Sequence, residues 1–347
     1  MLRVERELGN FRAALDWCRS HGYAEASLRL ALALVWFWGV RGHITEGRRW
    51  LEALVDRFPL RTMQGPHAAV YASALQAIGR LATLQRDFAA ASARHQESLR
   101  LSEALEDQTR MCDALYGLAF TAQEQGQHAA ARRYLERGVA LSQAHAETTA
   151  LTDDETLYRL GQGLHALAVL AHEDGDTDAA LALLQRSTAY LQRLGHPVHL
   201  ALNDVDLAVM VGEGGEYARA RELIERSLVV LEQNDDRRSV GIALVHLADV
   251  AIAQGDFSTA HRHLCRSLRT HHELGELPGI AFVLVRFAHL ASAQGQAARA
   301  LRLSGAAERL RQLAEAVLTP AIQRHFRKAV PPLAAFTRDL PKRARGA

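Results

Sequence analysis

The sequence predicts an all-α protein, a right-handed α-solenoid in which helical hairpins follow one another with a period near 40 residues. Ala and Leu together account for 113 of the 347 residues, and both favour helix because they lose little entropy on entering one. Short turn signals recur along most of the chain, usually 40 residues apart. Stacked hairpins therefore explain both the composition and the periodicity.

The first part of the chain, residues 1–64, is predicted to hold N-terminal helices and a degenerate first hairpin. Val4 to Ser20 is expected to form one helix. Gly42-His43 is the expected turn of the hairpin, because Gly commonly ends helices. Gly47 takes the small-residue position that Ala holds in the later hairpins.

The aromatic residues of this part form the densest cluster in the sequence, the run Trp36-Phe37-Trp38 with Trp17 and Trp50. Such a cluster could form a cage for a ligand. Rings of this size also bury a large area and could seal the least regular hairpin. Core packing is therefore the favoured interpretation, and the ligand cage is the alternative.

Residues 65–315 carry six repeat units, each divided by a short breaker in which Gly or Arg precedes a polar residue. The spacings between breakers are 40, 49, 40, 40 and 40 residues. The segment from Glu147 to Glu155 can supply the nine extra residues of the second spacing. The breakers begin at Arg86, Gly126, Gly175, Gly215, Gly255 and Gly295.

Residue size repeats around each breaker. A large residue and then a small one lie eight and seven positions before it, Ala lies five positions after it, and a small residue lies twelve after it. Small residues at fixed positions let two helices approach closely. This pattern resembles that of tetratricopeptide repeats over roughly residues 65–315. The family period is about 34 residues, and longer helices would absorb the difference. The resemblance implies a scaffold that binds proteins or peptides.

The last part of the chain is predicted to cap the array. Residues 316–337 contain an expected helix from Pro320 to Ala329, which Pro331-Pro332 ends. Residues 338–347 form a basic tail, which we expect to be flexible. A solvated end is favoured over contact with nucleic acid, so direct nucleic-acid binding is not expected.

A second resemblance is carried by segments at the two ends of the array. They are Glu7–Trp17, Leu28–Phe37, Trp38–His43, Glu46–Leu51 and Ala300–Arg311. These segments resemble the repeat region of STAND-type ATPases, the large bacterial regulators that include the maltose regulator and the antibiotic-pathway regulators of actinomycetes. In that family an ATPase precedes the repeats, and a helix-turn-helix of the LuxR class often follows them.

This sequence lacks the phosphate-binding motif on which the ATPase chemistry of that family depends. No Gly-x4-Gly-Lys-Ser/Thr phosphate loop occurs, and the only lysines are Lys328 and Lys342. No cofactor is expected. The resemblance therefore implies the sensor and interaction region of a transcriptional regulator, without its ATPase and DNA-binding domains.

Other function classes find little support. The net charge is +2, and the three cysteines are scattered, which favours a reducing, cytoplasmic location. No apolar run reaches the roughly 18 residues of a membrane span. His261 and Cys265 lie four residues apart on one helix face and could chelate a metal, but scattered surface imidazoles are the favoured interpretation. Neither a metal site nor catalysis is expected.

A binding face is predicted on the first helix of each hairpin, which lines the concave side in tetratricopeptide families. Its positions lie ten, six and three residues before each breaker, and thirteen before it in the late units. The predicted residues are Gln76, Arg80, Tyr116, Gln123, His165, His172, Val205, Val245, Ile252, Phe282, Val285 and His289. The late, apolar part could bind an apolar peptide, helix or small ligand, or it could pack inside a tight superhelix.

One residue breaks the repeat pattern. Asp204 stands in a column of Leu residues eleven positions before the breaker. A buried carboxylate is costly unless it is paired. A one-residue slip of the helix is the favoured explanation, and a bond to an Arg is the alternative.

The predicted function is recognition of a protein or peptide, or of a small-molecule inducer, within a bacterial transcriptional regulator. The alternative is a free-standing scaffold with no transcriptional role. The partner and the oligomeric state stay open.

Overall fold

The computed structural model describes residues 2–40, 43–58, 66–148 and 153–315. Within those ranges all regular structure is helical, in sixteen helices. The chain divides into two compact units, Met1–Gly163 and Leu164–Ala347, and the division falls within the ninth helix. The prediction of an all-α chain of tetratricopeptide-like hairpins is confirmed.

Unit 1 holds the first eight helices and the beginning of the ninth. They are α1 (Leu2–Arg6), α2 (Leu8–Ser20), α3 (Ala24–Val40), α4 (Ile44–Arg57), α5 (Pro66–Leu84), α6 (Phe88–Ala104), α7 (Gln108–Glu124), α8 (His128–Thr148) and α9 (Asp154–Glu173). The helices α3–α4, α5–α6 and α7–α8 pair as hairpins.

Unit 2 holds the remainder of α9 and seven further helices. They are α10 (Thr177–Leu194), α11 (Pro197–Glu213), α12 (Tyr217–Gln233), α13 (Arg237–Ala253), α14 (Phe257–Glu273), α15 (Leu277–Ala293) and α16 (Ala297–Glu315). The pairs α11–α12, α13–α14 and α15–α16 are hairpins.

The turns lie where the breakers predict them. At Gly126 the backbone has φ +74°, and its N–H donates to the Gln123 carbonyl at 2.9 Å. The next N–H, of Gln127, donates to the Ala122 carbonyl at 2.8 Å, which completes a Schellman ending. The other five breakers also have positive φ. Several of the helices that follow a turn are capped by an Asp side chain, namely Asp87, Asp107, Asp176, Asp236 and Asp256.

The small-residue columns bring the two helices of each hairpin together, as predicted. The Ala five positions after the breaker is fully buried in all six units. Twelve positions after the breaker, Ser98 Oγ donates to the Ala72 carbonyl at 2.8 Å and Ser267 Oγ donates to the Gly241 carbonyl at 2.7 Å. These bonds are possible only because a small side chain lets the helix backbones approach.

The N-terminal helix differs from its prediction. Val4 to Ser20 is interrupted at Glu7, where φ is −93° and ψ is 4°, so two helices replace one. The carbonyl of Glu7 accepts the N–H of Phe11 and starts α2. Leu8, the first residue after the break, is buried in the core of unit 1.

The aromatic cluster is divided between core and surface. Phe37 and Trp38 are buried, as core packing predicts, and the Trp38 ring lies 2.5 Å from where a Cβ of Gly47 would stand. That contact explains the small residue at position 47. Trp17 and Trp36 are exposed, so the core prediction is wrong for these two.

Asp204 is accommodated without a slip of the helix. α11 runs unbroken to Glu213, and the turn keeps its place at Gly215. The Asp204 carboxylate accepts a hydrogen bond from Arg226 at 2.8 Å. The favoured explanation is therefore wrong and the Arg alternative is correct. The predicted capping helix and basic tail lie outside the described residues.

Candidate functional site

The first helices of successive hairpins contact one another within each unit. In unit 1, α3 contacts α5 and α5 contacts α7; in unit 2, α11 contacts α13 and α13 contacts α15. We call the solvent-accessible side of α3, α5 and α7 the unit 1 face. The corresponding side of α11, α13 and α15, with the unit 2 part of α9, is the unit 2 face.

The unit 1 face has a mixed apolar and cationic surface. The position six residues before each turn is Trp36 on α3, Arg80 on α5 and Phe120 on α7. Trp36 is 62% exposed, Phe120 is 42% exposed, and Arg80 is exposed. Gln76 and Gln123 are half-buried on the same helices. Three successive helices therefore present large side chains at one repeat position.

An ion-pair network lies beside these residues. Arg159 on α9 donates from Nε to Asp113 Oδ1 at 2.8 Å, and a second guanidinium nitrogen donates to Glu155 at 2.8 Å. Burial alone would lower the pKa of Arg159, but the hydrogen bond and charge of Asp113 outweigh burial and raise it. The network ties α7 to α9 within unit 1 and keeps Asp113 neutralised.

Tyr116 packs inward from its predicted face position. Its hydroxyl donates to the Arg159 carbonyl at 3.1 Å, and its ring lies against Gly138 and Gly163. Burial raises the pKa of the Tyr116 phenol. Tyr116 therefore acts as a structural link of unit 1.

The unit 2 face carries a ladder of charged and polar side chains. His165 Nε2 and Asp206 Oδ2 share a hydrogen bond of 2.5 Å between α9 and α11. Arg286 on α15 donates to Asp249 on α13 at 2.9 Å. His246 on α13 lies 4.0 Å from Asp249. We call these five residues the charged ladder.

The charged ladder is largely shielded from solvent, because each of its side chains is more than two-thirds buried. Burial lowers the pKa of His246, and the charge of Asp249 opposes this without reversing it. Asp249 Oδ1 is buried and has no hydrogen-bond partner among the described residues. A carboxylate oxygen with spare acceptor capacity suits a ligand that donates hydrogen bonds.

Several residues of the predicted face lie in accessible positions. His289 is exposed on α15, and His172 is half-buried with its Nε2 3.4 Å from Glu213. Phe282 is half-buried, with the Arg286 guanidinium 4.9 Å from the centre of its ring.

The apolar part of the predicted face is core. Four of its side chains are buried, because the first helices of neighbouring hairpins pack together at these positions. They are Val205, Val245, Ile252 and Val285. Of the two interpretations left open by the sequence, packing describes these four residues.

Sequence reasoning missed most of the charged ladder. Asp206, His246 and Arg286 all lie nine residues before a breaker, one position beyond the predicted face. The same position holds Ala77, Gly117 and Ala166 in the three preceding units. This change from small to charged residues in one repeat column was the available signal.

His261 and Cys265, the alternative metal-binding pair, lie close together, but His271 on the same helix has a different role. Cys265 Sγ lies 3.6 Å from His261 Nδ1 on α14. His271, further along the helix, is buried between Gly241 and Gly279, and its Nδ1 lies 3.0 Å from Glu276. The His271 ring therefore belongs to the packing between the helices.

Comparisons with known sequences agree with this architecture. A family model described as tetratricopeptide repeat matches residues 112–147. A 54-residue segment is 37% identical to proteins of Mycobacterium tuberculosis and Mycobacterium bovis whose names assign them provisionally to the HTH-type transcriptional regulators. This match spans 16% of the chain and 6% of the length of those relatives.

Solved structures show the same fold. A Rap protein complexed with competence and sporulation factor has a TM-score of 0.56 at 14% identity, covering 97% of this chain and 100% of that one. A STAND protein with a tetratricopeptide repeat sensor from Pyrococcus horikoshii has a TM-score of 0.56 at 12% identity. The similarity covers 86% of this chain and 46% of that one. The Rap conjugation gene regulator of plasmid pLS20 with the Phr* peptide has 0.55 at 12%, covering 90% and 98%.

The fold class is thus a tetratricopeptide-like α-solenoid, a scaffold typical of protein–protein interaction. Among the described residues, no helix combines the length and the apolar character that a membrane crossing needs.

Proposed function

We propose that this chain is a peptide- or protein-binding module that recognises its ligand on the first-helix faces. The charged ladder of unit 2 carries this proposal. Burying charged pairs costs desolvation, and apolar residues of similar volume often stabilise a fold equally well. Preceding hairpins stack with Ala or Gly at the same position. Since stacking does not require the charges, recognition of a ligand explains them better.

The comparisons support a peptide as the ligand. Two structures with this fold contain a bound peptide or signalling factor, by their own descriptions. A small-molecule inducer is the alternative ligand for the same face.

We further propose that the module is the sensor region of a bacterial transcriptional regulator. The match to HTH-type regulators and the fold shared with a STAND sensor support this role. Signal transfer would be a ligand-dependent change in the packing of the hairpins, passed to an effector domain. The alternative is a free-standing scaffold. The coding sequence on either side discriminates the two: an ATPase reading frame upstream supports the regulator, and unrelated flanking genes support the scaffold.

Binding is tested by selection from a phage-displayed library of random 12-residue peptides. Selected peptides are then titrated calorimetrically against the wild-type chain and the variant Asp206→Asn/Asp249→Asn. Lost charged hydrogen bonds should weaken binding of peptides that use unit 2 about tenfold or more. Glu222→Gln, on the exposed side of the second helix α12, is the matched control and should bind normally. Failure to enrich any peptide would refute the binding function.

A further inference from the structure

The unit 1 face holds an unusual concentration of exposed apolar side chains. Among the described residues, eight large hydrophobic side chains are exposed, and Trp36, Leu84 and Phe120 all lie on α3, α5 and α7. Leu84 Cδ1 lies 3.9 Å from the Cβ position of Gly39, which places it beside the end of α3. Folding alone does not explain this exposure, since a monomer gains by burying such groups.

Three polar side chains on α5 and α7 have no hydrogen-bond or ion-pair partner in the part of the chain that the structure describes. These are the side chains of Gln76, Arg80 and Gln123. Asp113, the carboxylate whose charge acts on Arg80, is already bound by Arg159. Arg80 therefore has no hydrogen-bonded counter-ion among the described residues, and its helix α5 lies between the helices that carry the exposed rings of Trp36 and Phe120.

The spacing of the three side chains fits a short peptide. Neighbouring packed helices lie about 8–10 Å apart, so the step from α3 through α5 to α7 covers roughly 20 Å. An extended chain advances about 3.3 Å per residue, so about six residues would reach from Trp36 to Phe120. Arg80 would then lie opposite the middle of that segment.

We propose that the unit 1 face binds an acidic peptide segment, with a carboxylate on Arg80 and apolar side chains on Trp36 and Phe120. The charge of Arg80 selects a carboxylate, and the guanidinium can hold it through two hydrogen bonds. The exposed rings contribute apolar contact area on both sides. One cation provides little affinity for a phosphate backbone, which favours a peptide over nucleic acid. This inference rests on the peptide-binding function proposed above.

The test uses the same random peptide library on the full chain, with fluorescence polarisation of the selected peptides. We expect the dominant class to carry an Asp or Glu between apolar residues. Its affinity should fall about tenfold or more in Arg80→Ala and in Trp36→Ala. Arg100→Ala on α6 and Trp17→Ala on α2 change exposed side chains on helices other than α3, α5 and α7; they are the matched controls and should bind normally.

A charge reversal separates specific contact from a loss of folding. Arg80→Glu should reject the acidic peptide and bind its Lys-substituted counterpart. Peptides that depend on Asp206 and Asp249 but not on Arg80 or Trp36 would overturn this inference and leave the proposed function intact. A selection that enriches nothing would overturn both.

Discussion

The contact of His95 with two glycines makes a sharp prediction about the packing of unit 1. The His95 ring is 1% exposed and lies between Gly79 on α5 and Gly117 on α7. A Cβ on Gly117 would stand 2.4 Å from His95 Cε1, and a Cβ on Gly79 would stand 2.7 Å from the same atom. Since the ring is enclosed on both sides, Gly117→Ala must force the helices apart or strain the ring.

Two effects of opposite sign decide the outcome of Gly117→Ala. Ala is favoured over Gly inside a helix by about 1 kcal/mol. Overpacking a closed core costs about 1–3 kcal/mol. The net expectation is a loss of up to about 2 kcal/mol. At roughly 2–4 °C per kcal/mol for a unit of this size, Tm should fall by up to about 8 °C.

Circular dichroism at 222 nm during heating measures this change. Gly9→Ala on α2 is the matched control, because a Cβ there would meet nothing within 4 Å, and it should raise Tm slightly. In a double-mutant cycle, His95→Ala should relieve much of the cost of Ala at position 117. A Gly117→Ala chain as stable as the Gly9→Ala chain would refute the close contact with His95.

Three further outcomes follow from other contacts. Burial lowers the pKa of His95 to about 4, and the positive charge of Arg80 contributes a smaller effect in the same direction. An unfolded His has a pKa near 6.5. The free energy of unfolding should therefore have its full value above about pH 6.5 and should fall by about 3 kcal/mol as the pH drops toward 4. Urea titrations should show a shallower pH dependence for His95→Gln. Asp235 has φ +54° between α12 and α13, so Asp235→Gly should raise Tm by relieving about 1 kcal/mol of strain; an unchanged Tm would contradict this. Ser267→Ala removes a buried hydrogen bond and should cost about 1 kcal/mol by urea denaturation, whereas exposed Ser258→Ala should not.

The repeat architecture was predictable because its causes are local. A Gly or Arg at positive φ, a capping Asp and a buried Ala each impose the same geometry wherever they occur. The turns at Gly126 and Gly255 are therefore placed by the sequence to the residue. The break at Glu7 was not predictable, because the helical pattern of the sequence continues through that position.

Exposure was harder to predict than secondary structure. Hydrophobic character assigned Trp36 to the core, and the structure exposes it. For Val245 the sequence left a binding groove and internal packing both open, and the structure buries it. The outcome depends on which helices pack against each position, and that depends on neighbouring hairpins. Three of the five residues of the charged ladder, Asp206, His246 and Arg286, lay one residue from the predicted face, because a small error in helix phase selects a different column of side chains.

Site-directed photo-cross-linking tests the central claim that the ligand lies on the first helices. Benzoylphenylalanine would replace His289, exposed on the first helix α15, or Val229, exposed on the second helix α12. The probe is a peptide selected from the library whose binding requires Asp206 and Asp249. We expect an adduct from position 289 and none from position 229. An adduct from position 229 alone would contradict the account.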